Sequence, residues 1–440
     1  MLTFLKVANF KSIYDSAEFS MYATREQRDR ETIANIRGLR ILPAAGFFGA
    51  NASGKTTFIE SLHYIQDLLF SDYPETRPLD VKTHQQHQDE PSEFEVEFIQ
   101  SDTHGKEHLY CYRLAILQGV VERESLHEVT PQTGYENLIF SYNRAASDFL
   151  HYGKTLENNA FAQGVKTIRS AYKSQLLFTK LAQGIDDIKD ILAWFSRIVF
   201  VHPNARAVRL PERIDLDQDF SDYICEGISQ ADSGIHKVAF RDVDRTKVAL
   251  SDAALEELIE YLKTDLADEE EASVSLPTHD NGIIVVSYSS TSGPHFREMI
   301  AQHNNFSLPI GQESRGTGRY LHLMPVLYNH GNDSIYLIDE LDAALHPHLV
   351  KRFVQSFLKQ CHQNTRRQLI FTTHALELLF LDELRRDEIW FTEKTIGKDN
   401  ESTSSLIRLS EYAGPGGIRK GSDIVKLYLG GRLGGIPQNI

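Results

Sequence analysis

Cysteine is scarce: Cys111, Cys225 and Cys361 are the three among 440 residues. They are scattered without paired spacing, which excludes a disulfide framework and a thiolate metal cage. No run approaches the roughly 18 apolar residues of a membrane span. Met1 leads directly into the apolar residues 2–8, without the charged-then-apolar layout of a secretion leader. These absences describe a reduced, cytoplasmic chain with no membrane partner. Positive charge is also short, since 46 Lys and Arg face 61 Asp and Glu for a formal net charge of −15. A surface that sleeves nucleic acid needs the opposite balance, because it binds by neutralising phosphates, and DNA is therefore a disfavoured partner. The groups Arg206, Arg209 and Arg213, and the pairs Arg366-Arg367 and Arg385-Arg386, read as solvated charge. Internal repeats, low-complexity tracts and sustained heptads are missing too, which removes solenoids and long coiled-coil arms. What is left, 24% charged and 41% hydrophobic residues, suits two or three ordinary folding units.

What is present is a set of four short motifs in a fixed order. The first is Gly49-Ala50-Asn51-Ala52-Ser53-Gly54-Lys55-Thr56, followed by Thr57. In this pattern successive backbone N–H groups curl round phosphate oxygens at the start of a helix. Gly49 and Gly54 permit the close approach, Lys55 reaches the outer phosphates, and Thr56 offers its hydroxyl to Mg²⁺. The motif demands a strand before it and a helix after it. Residues 41–48 (ILPAAGFF) supply a short buried strand despite Pro43. Beyond Thr57, residues Phe58, Ile59, Leu62, Ile65, Leu68 and Leu69 recur at helical spacing.

Residues 334–340 (SIYLIDE) form an apolar strand ending in two carboxylates, the pattern of a central parallel strand. Asp339 is expected to hold Mg²⁺ opposite Thr56, and Glu340 to polarise an attacking water as general base. Residues 368–371 read as another strand, which delivers Thr372, Thr373 and His374 at its end. A neutral imidazole there can report on the terminal phosphate. The remaining motif, Glu313-Ser314-Arg315-Gly316-Thr317, sets the Ser314 hydroxyl, the Gly316 N–H and Thr317 at a helix start, a second phosphate-binding device. Tyr320, Leu321, Leu323, Met324, Val326 and Leu327 give that helix its apolar residues, and Pro325 is expected to kink or break it. His346, within 341–347 (LDAALHP), is given no chemistry.

With these motifs in this order the chain resembles the SMC/RecF/OLD-related ABC ATPases, specifically the short bacterial branch found in phage-defence systems. Asn9-Phe10-Lys11-Ser12-Ile13, Leu345-His346-Pro347 and Arg385-Arg386-Asp387-Glu388-Ile389-Trp390-Phe391 add to the likeness, as does the tail Gly430-Gly431-Arg432-Leu433-Gly434-Gly435-Ile436-Pro437. Within that branch it is most similar to the AriA ATPases of PARIS systems, with the PtuA ATPases of Septu next. The likeness covers both ends of the chain; Ser314-Arg315-Gly316 stands where relatives carry Ser-Gly. The resemblance implies an α/β fold, an ABC-type P-loop ATPase head with an antiparallel β subdomain and an inserted, mostly helical lobe. It implies ATP and Mg²⁺ as cofactors and catalysis by Glu340, His374 and Lys55, with Asn51, Ala52 and Ser53 completing the ATP-binding loop. It also implies a homodimer or higher homo-oligomer with ATP sandwiched between subunits. Ser314, Gly316 and Thr317 would then act in trans, and Lys11 and Ser12 would lie near the nucleotide.

The expected organisation is an N-terminal ATPase lobe over 1–142, a helical insertion over 143–281, a C-terminal ATPase lobe over 282–395 and an extension over 396–440. Residues 94–98, 109–116 and 119–127 read as antiparallel strands. Residues 168–181, 185–195 and 250–266 read as helices, the last running into the acidic Asp268-Glu269-Glu270-Glu271. Some relatives append a metal-dependent nuclease that needs an Asp-x-Asp pair, and none follows His374. Asp215-Leu216-Asp217-Gln218-Asp219 and Asp242-Val243-Asp244 read as solvated loop charge. The expectation is an ATPase of an anti-phage defence system without its own effector. It would sense infection through a phage-encoded trigger protein and hold or release a separate toxic protein, a nuclease. The alternative is a RecF-like DNA-binding ATPase of DNA repair.

Overall fold

The computed structural model describes residues 1–25, 31–71, 78–168, 175–203, 209–231, 234–265, 271–280, 282–328, 333–380, 384–396, 402–412, 424–430 and 433. The chain divides into two units. One holds Met1–His202, Gly331–Leu341 and Val354–Ile440; the other holds Pro203–His330 and Asp342–Phe353.

The first unit opens with β1 (Leu2–Ala8) and β2 (Ala17–Ser20), the short ribbon β3 (Ala34–Ile36) and β4 (Leu39–Ile41), then β5 (Ala44–Gly49) and helix α1 (Lys55–Phe70). A meander follows: β6 (Ser92–Ser101), β7 (Glu107–Leu117), β8 (Val120–Thr130), β9 (Tyr135–Asn143) and β10 (Leu150–Tyr152). Helices α2 (Ala160–Ile168), α3 (Leu177–Ala182) and α4 (Asp186–Leu192) lead into β11 (Ile198–Val201). Seven of these strands form an antiparallel sheet in the order β10-β9-β8-β7-β6-β1-β2. Along β6, Phe94, Val96 and Phe98 are buried while Glu93, Glu95 and Glu97 are partly exposed, so one face packs on the core and the other is wet. The wet face is laced by ion pairs, such as Arg113 with Glu95 (3.0 Å) and Glu136 (2.6 Å). Glu124, on β8, is buried because it caps a helix. Its carboxylate accepts from the N–H groups of Leu177 (2.6 Å) and Phe178 (2.9 Å) at the start of α3.

The second unit carries α5 (Leu210–Leu216), α6 (Gln218–Ser229), β12 (Lys237–Asp242), α7 (Asp252–Asp265), β13 (Glu271–Pro277), β14 (Ile283–Ser289), β15 (Gly293–Gln302), β16 (Ser307–Pro309) and α8 (Arg315–Leu327). Its antiparallel sheet runs β12-β15-β14-β13, with β16 on β15. Leu255, Ile259 and Leu262 of α7 pack with Ala272, Ile284 and Val286 of the sheet, three or four residues apart on the helix and two apart on β14. The lobe expected to be mostly helical therefore includes a sheet. The boundaries expected at 142/143 and 281/282 also differ from the observed division. β10 brings residues 150–152 into the first unit's sheet, and β13 pairs with β14 across residue 281. Strand partnership is a tertiary choice that local pattern does not encode.

The first unit resumes with β17 (Ile335–Ile338). Helix α9 (Pro347–Lys359) begins in the second unit's segment, and β18 (Gln368–Thr372), β19 (Ile389–Ile396), β20 (Ser402–Arg408) and α10 (Ile424–Leu429) follow. These complete a six-stranded sheet ordered β11-β17-β18-β5-β19-β20, parallel except for β20. Every residue of β5, β17 and β18 is buried, as parallel strands covered on both faces require. Their C-terminal ends share one edge, where open α/β sheets bind ligands. Residues 402–408, expected in an extension, instead form this sheet's antiparallel edge strand.

Several charges read as solvated are structural. Arg367 is buried, donates to Gln360 (2.8 Å) and stacks over Phe357 (4.6 Å), and Arg366 pairs with Glu107 (2.6 Å). Arg385 and Asp387 form a buried bidentate pair, both bonds at 2.8 Å. Arg213 lies over Phe220 (4.1 Å) and Tyr328 (4.8 Å); Arg206 is outside the described residues. The Asp-x-Asp runs are caps and an ion pair. Asp217 accepts from Phe220 N (2.9 Å), Asp244 from Thr246 N (2.9 Å), and Asp215 pairs with Arg297 (2.6 Å). Of the acidic run, 268–270 lie outside the described residues and Glu271 opens β13. Of the tail 430–437, only Gly430 and Leu433 are described.

Candidate active site

The loop between β5 and α1 leaves a parallel strand and enters a helix N-terminus, the context its motif demands. Gly54 has φ +105°, and a Cβ on it would stand 2.5 Å from Ser404 Oγ, so both backbone and space call for glycine. Lys55 is buried in the loop it belongs to. Its Nζ donates to the carbonyls of Gly49 (2.8 Å) and Ala50 (3.0 Å).

The next layer comes from β17 and β18, neighbours in parallel register. Asp339 follows β17 and is 3% exposed. It accepts from Thr56 Oγ1 (2.9 Å) and from Thr372 Oγ1 (2.7 Å). Thr372 in turn accepts from the Glu340 N–H (2.7 Å). Glu340 has φ +46°, a left-handed conformation that costs a non-glycine residue and persists where neighbours enforce it. One threonine on β18 thus sets the position of both carboxylate-bearing residues.

A cavity of about 450 Å³ opens over this layer, lined by Ser12, residues 51–57, Glu340, His374 and Lys394. The first unit supplies every one of these residues. The structure thereby gathers Asn51, Ala52, Ser53, Gly54, Lys55, Thr56, Thr57, Ser12, Glu340 and His374 round one space. Gly49 and Asp339 lie at the strand ends, bonded to Lys55 and Thr56. Lys11 does not line the cavity; its ammonium pairs with Glu60 on α1.

Ser314, Gly316 and Thr317 belong to the second unit. Ser314 caps α8, its Oγ accepting from Thr317 N (3.1 Å), with Thr317 Oγ1 at 2.8 Å. A Cβ on Gly316 would meet the Ala344 carbonyl oxygen at 2.7 Å, so the backbone at Ala344 packs tightly on this helix start. Pro325 does not break α8, which runs on to Leu327.

Three residues outside any motif join the site. Lys394 reaches the cavity from β19. Ser404 on β20 donates to Ser12 Oγ (3.0 Å), which donates to Thr57 Oγ1 (3.1 Å). Thr392 Oγ1 meets Ser53 Oγ at 2.5 Å. Period-2 alternation puts Thr392 and Lys394 on one face of β19, but nothing local says that this face adjoins the phosphate loop.

The Thr56 hydroxyl and Asp339 carboxylate, an all-oxygen pair at the loop, suit a hard cation such as Mg²⁺. Among the described residues no group of three or more His, Cys, Asp or Glu could hold a metal, and no helix is long and apolar enough to cross a membrane.

Residues 45–379 match the family described as "AAA domain, putative AbiEii toxin, Type IV TA system". No curated protein matches the chain in sequence. Among solved structures, one titled "Crystal structure of the SmcHead bound to the C-winged helix domain of ScpA" is similar at 12% identity. It covers 94% of this chain and 99% of that chain with a TM-score of 0.36, a superposition too loose to bear on the fold. The family match takes in the phosphate loop, the acidic strand end and His374, and the chain belongs to this family of AAA-type P-loop ATPase domains.

Proposed function

We propose that the protein hydrolyses ATP in the cytoplasm as a homodimer or higher homo-oligomer, within an anti-phage defence system of the AriA or PtuA kind. The cavity that joins the phosphate loop to Glu340 and His374 carries the ATPase part of this reading. Lys55 leaves the Gly49 and Ala50 carbonyls for the outer phosphates, while the loop N–H groups cradle their oxygens. Thr56 and Asp339 would hold Mg²⁺, which when bound would neutralise charge developing on the phosphates. Glu340 takes a proton from the attacking water, its backbone fixed by Thr372. His374 hydrogen-bonds the terminal phosphate. Ser314, Gly316 and Thr317 from a second copy close over that phosphate at the N-terminus of α8.

The defence role rests on the sequence resemblance, and the family's description as part of a toxin–antitoxin system supports pairing with a second gene product. In this reading the chain holds a separate nuclease inactive and frees it on meeting a phage-encoded trigger. The test is mass photometry of purified protein with ATP, with and without the neighbouring gene product, in wild type and Glu340→Gln. The variant is expected to hydrolyse ATP at least ~100-fold slower and to accumulate as an ATP-bound dimer. Monomers alone in ATP would remove the sandwich. A dimer that ignores its neighbour, and whose turnover rises with DNA and collapses with salt, would replace defence with DNA repair.

A further inference from the structure

We infer that the second unit contains a binding site for an organic cation with an apolar body, held by the carboxylate of Glu212. The site is a cavity of about 400 Å³ between α5, α7, β13 and α8, within the roughly 300–1,000 Å³ range of small-molecule pockets. Its apolar wall includes Leu258 and Leu262 from α7, Leu276 from β13 and Ile283 from β14.

Glu212 lines this space from the first turn of α5 and is 7% exposed. Its Oε2 is buried and has no hydrogen-bond partner. A buried carboxylate oxygen without a donor is costly and rare, and it calls for an explanation. Glu298 of the same unit also leaves its Oε1 without a hydrogen bond, but its Oε2 is met by Arg241 (2.5 Å) and Lys247 (3.3 Å), and the Asp215 carboxylate is met by Arg297 (2.6 Å). Glu212 has no such ion pair among the described residues. Arg209 lines the same cavity but makes no ion pair with it. A ligand whose ammonium or guanidinium meets Glu212, with carbon against the leucines, would satisfy both halves of the cavity. The chemistry is the same whether the cation is a free amine or a lysine side chain presented by a protein.

The test is calorimetric titration of the full-length protein with phenethylamine, 2-phenylethanol and N-acetyl-lysine methylamide. Phenethylamine is expected to bind saturably at one site per chain, at least about tenfold more tightly than its neutral analogue. Glu212→Gln should erase that preference. Leu258→Phe, which narrows the cavity and leaves the carboxylate in place, should weaken binding and serves if the first variant fails to fold. Tighter binding of the lysine probe than of phenethylamine supports the site with a protein side chain as occupant, and the reverse supports it with a free amine. Equal binding of phenethylamine and 2-phenylethanol, no saturable binding of either cation, or unchanged affinity in both variants would overturn the assignment.

Discussion

Lys55 shows at the level of one residue how the site is prepared. Its ammonium donates to two carbonyls of its own loop, acceptors that the proposed function would have it exchange for phosphate oxygens. Lys55→Ala should abolish ATP binding in a calorimetric titration, and retained tight binding would remove the loop from the mechanism. Lys394 makes a subtler case. An exposed lysine at the cavity wall adds positive charge screened by water, so Lys394→Ala should weaken ATP affinity about three- to tenfold and leave thermal stability unchanged.

Asp387 does no chemistry and matters to folding. It accepts from Arg385 twice and from Thr24 N (2.7 Å) and Oγ1 (2.8 Å), while its own carbonyl accepts from Arg408 (2.7 Å). Burial alone would raise its carboxyl, but Arg385 and Thr24 hold it below the ordinary value. With the folded pKa depressed, the stabilisation is fully present above about pH 4 and is lost as pH falls through the folded value. Asp387→Asn should cost about 3 kcal/mol in denaturant unfolding at neutral pH, because it strands the buried Arg385. The same variant should flatten the acid limb of the stability curve.

At the scale of elements, two strands outside the motifs brace the phosphate loop. β19 and β20 send Thr392 to Ser53 and Ser404 to Ser12, so the loop is clamped from the C-terminal side of the sheet. Helix α8 is the other informative element. Its exposed Ser314 cap and the close fit of Gly316 on Ala344 leave its N-terminus ordered before any nucleotide arrives. Ser314→Arg should leave ATP affinity within about threefold while cutting turnover by at least about tenfold, the signature of a group acting across a subunit interface. Normal turnover in a filter-binding and phosphate-release comparison would assign Ser314 to capping alone.

For the whole molecule, the phosphate loop, the acidic strand end, the strand before His374 and the helices at Lys55 and Arg315 were legible because each is local. Glycine spacing, a buried apolar run and a cap are written in a few neighbouring residues. Residues 51–57, Glu340 and His374 were named from sequence and line one cavity. Charge was misread where it mattered most. Arg367, Arg385 and Asp215 look like solvated residues in a string of letters, since nothing local says that Arg367 lies over Phe357, that Arg385 is buried with Asp387, or that Arg297 meets Asp215. Lys394, Thr392 and Ser404 were invisible for the same reason, and so was the orphaned oxygen of Glu212. The sequence by itself determined which segments could bind phosphate and in what order. Only the tertiary structure decided which strands stand beside them and which charges are buried, because pairing across long separations is selected by packing and desolvation rather than by any local pattern.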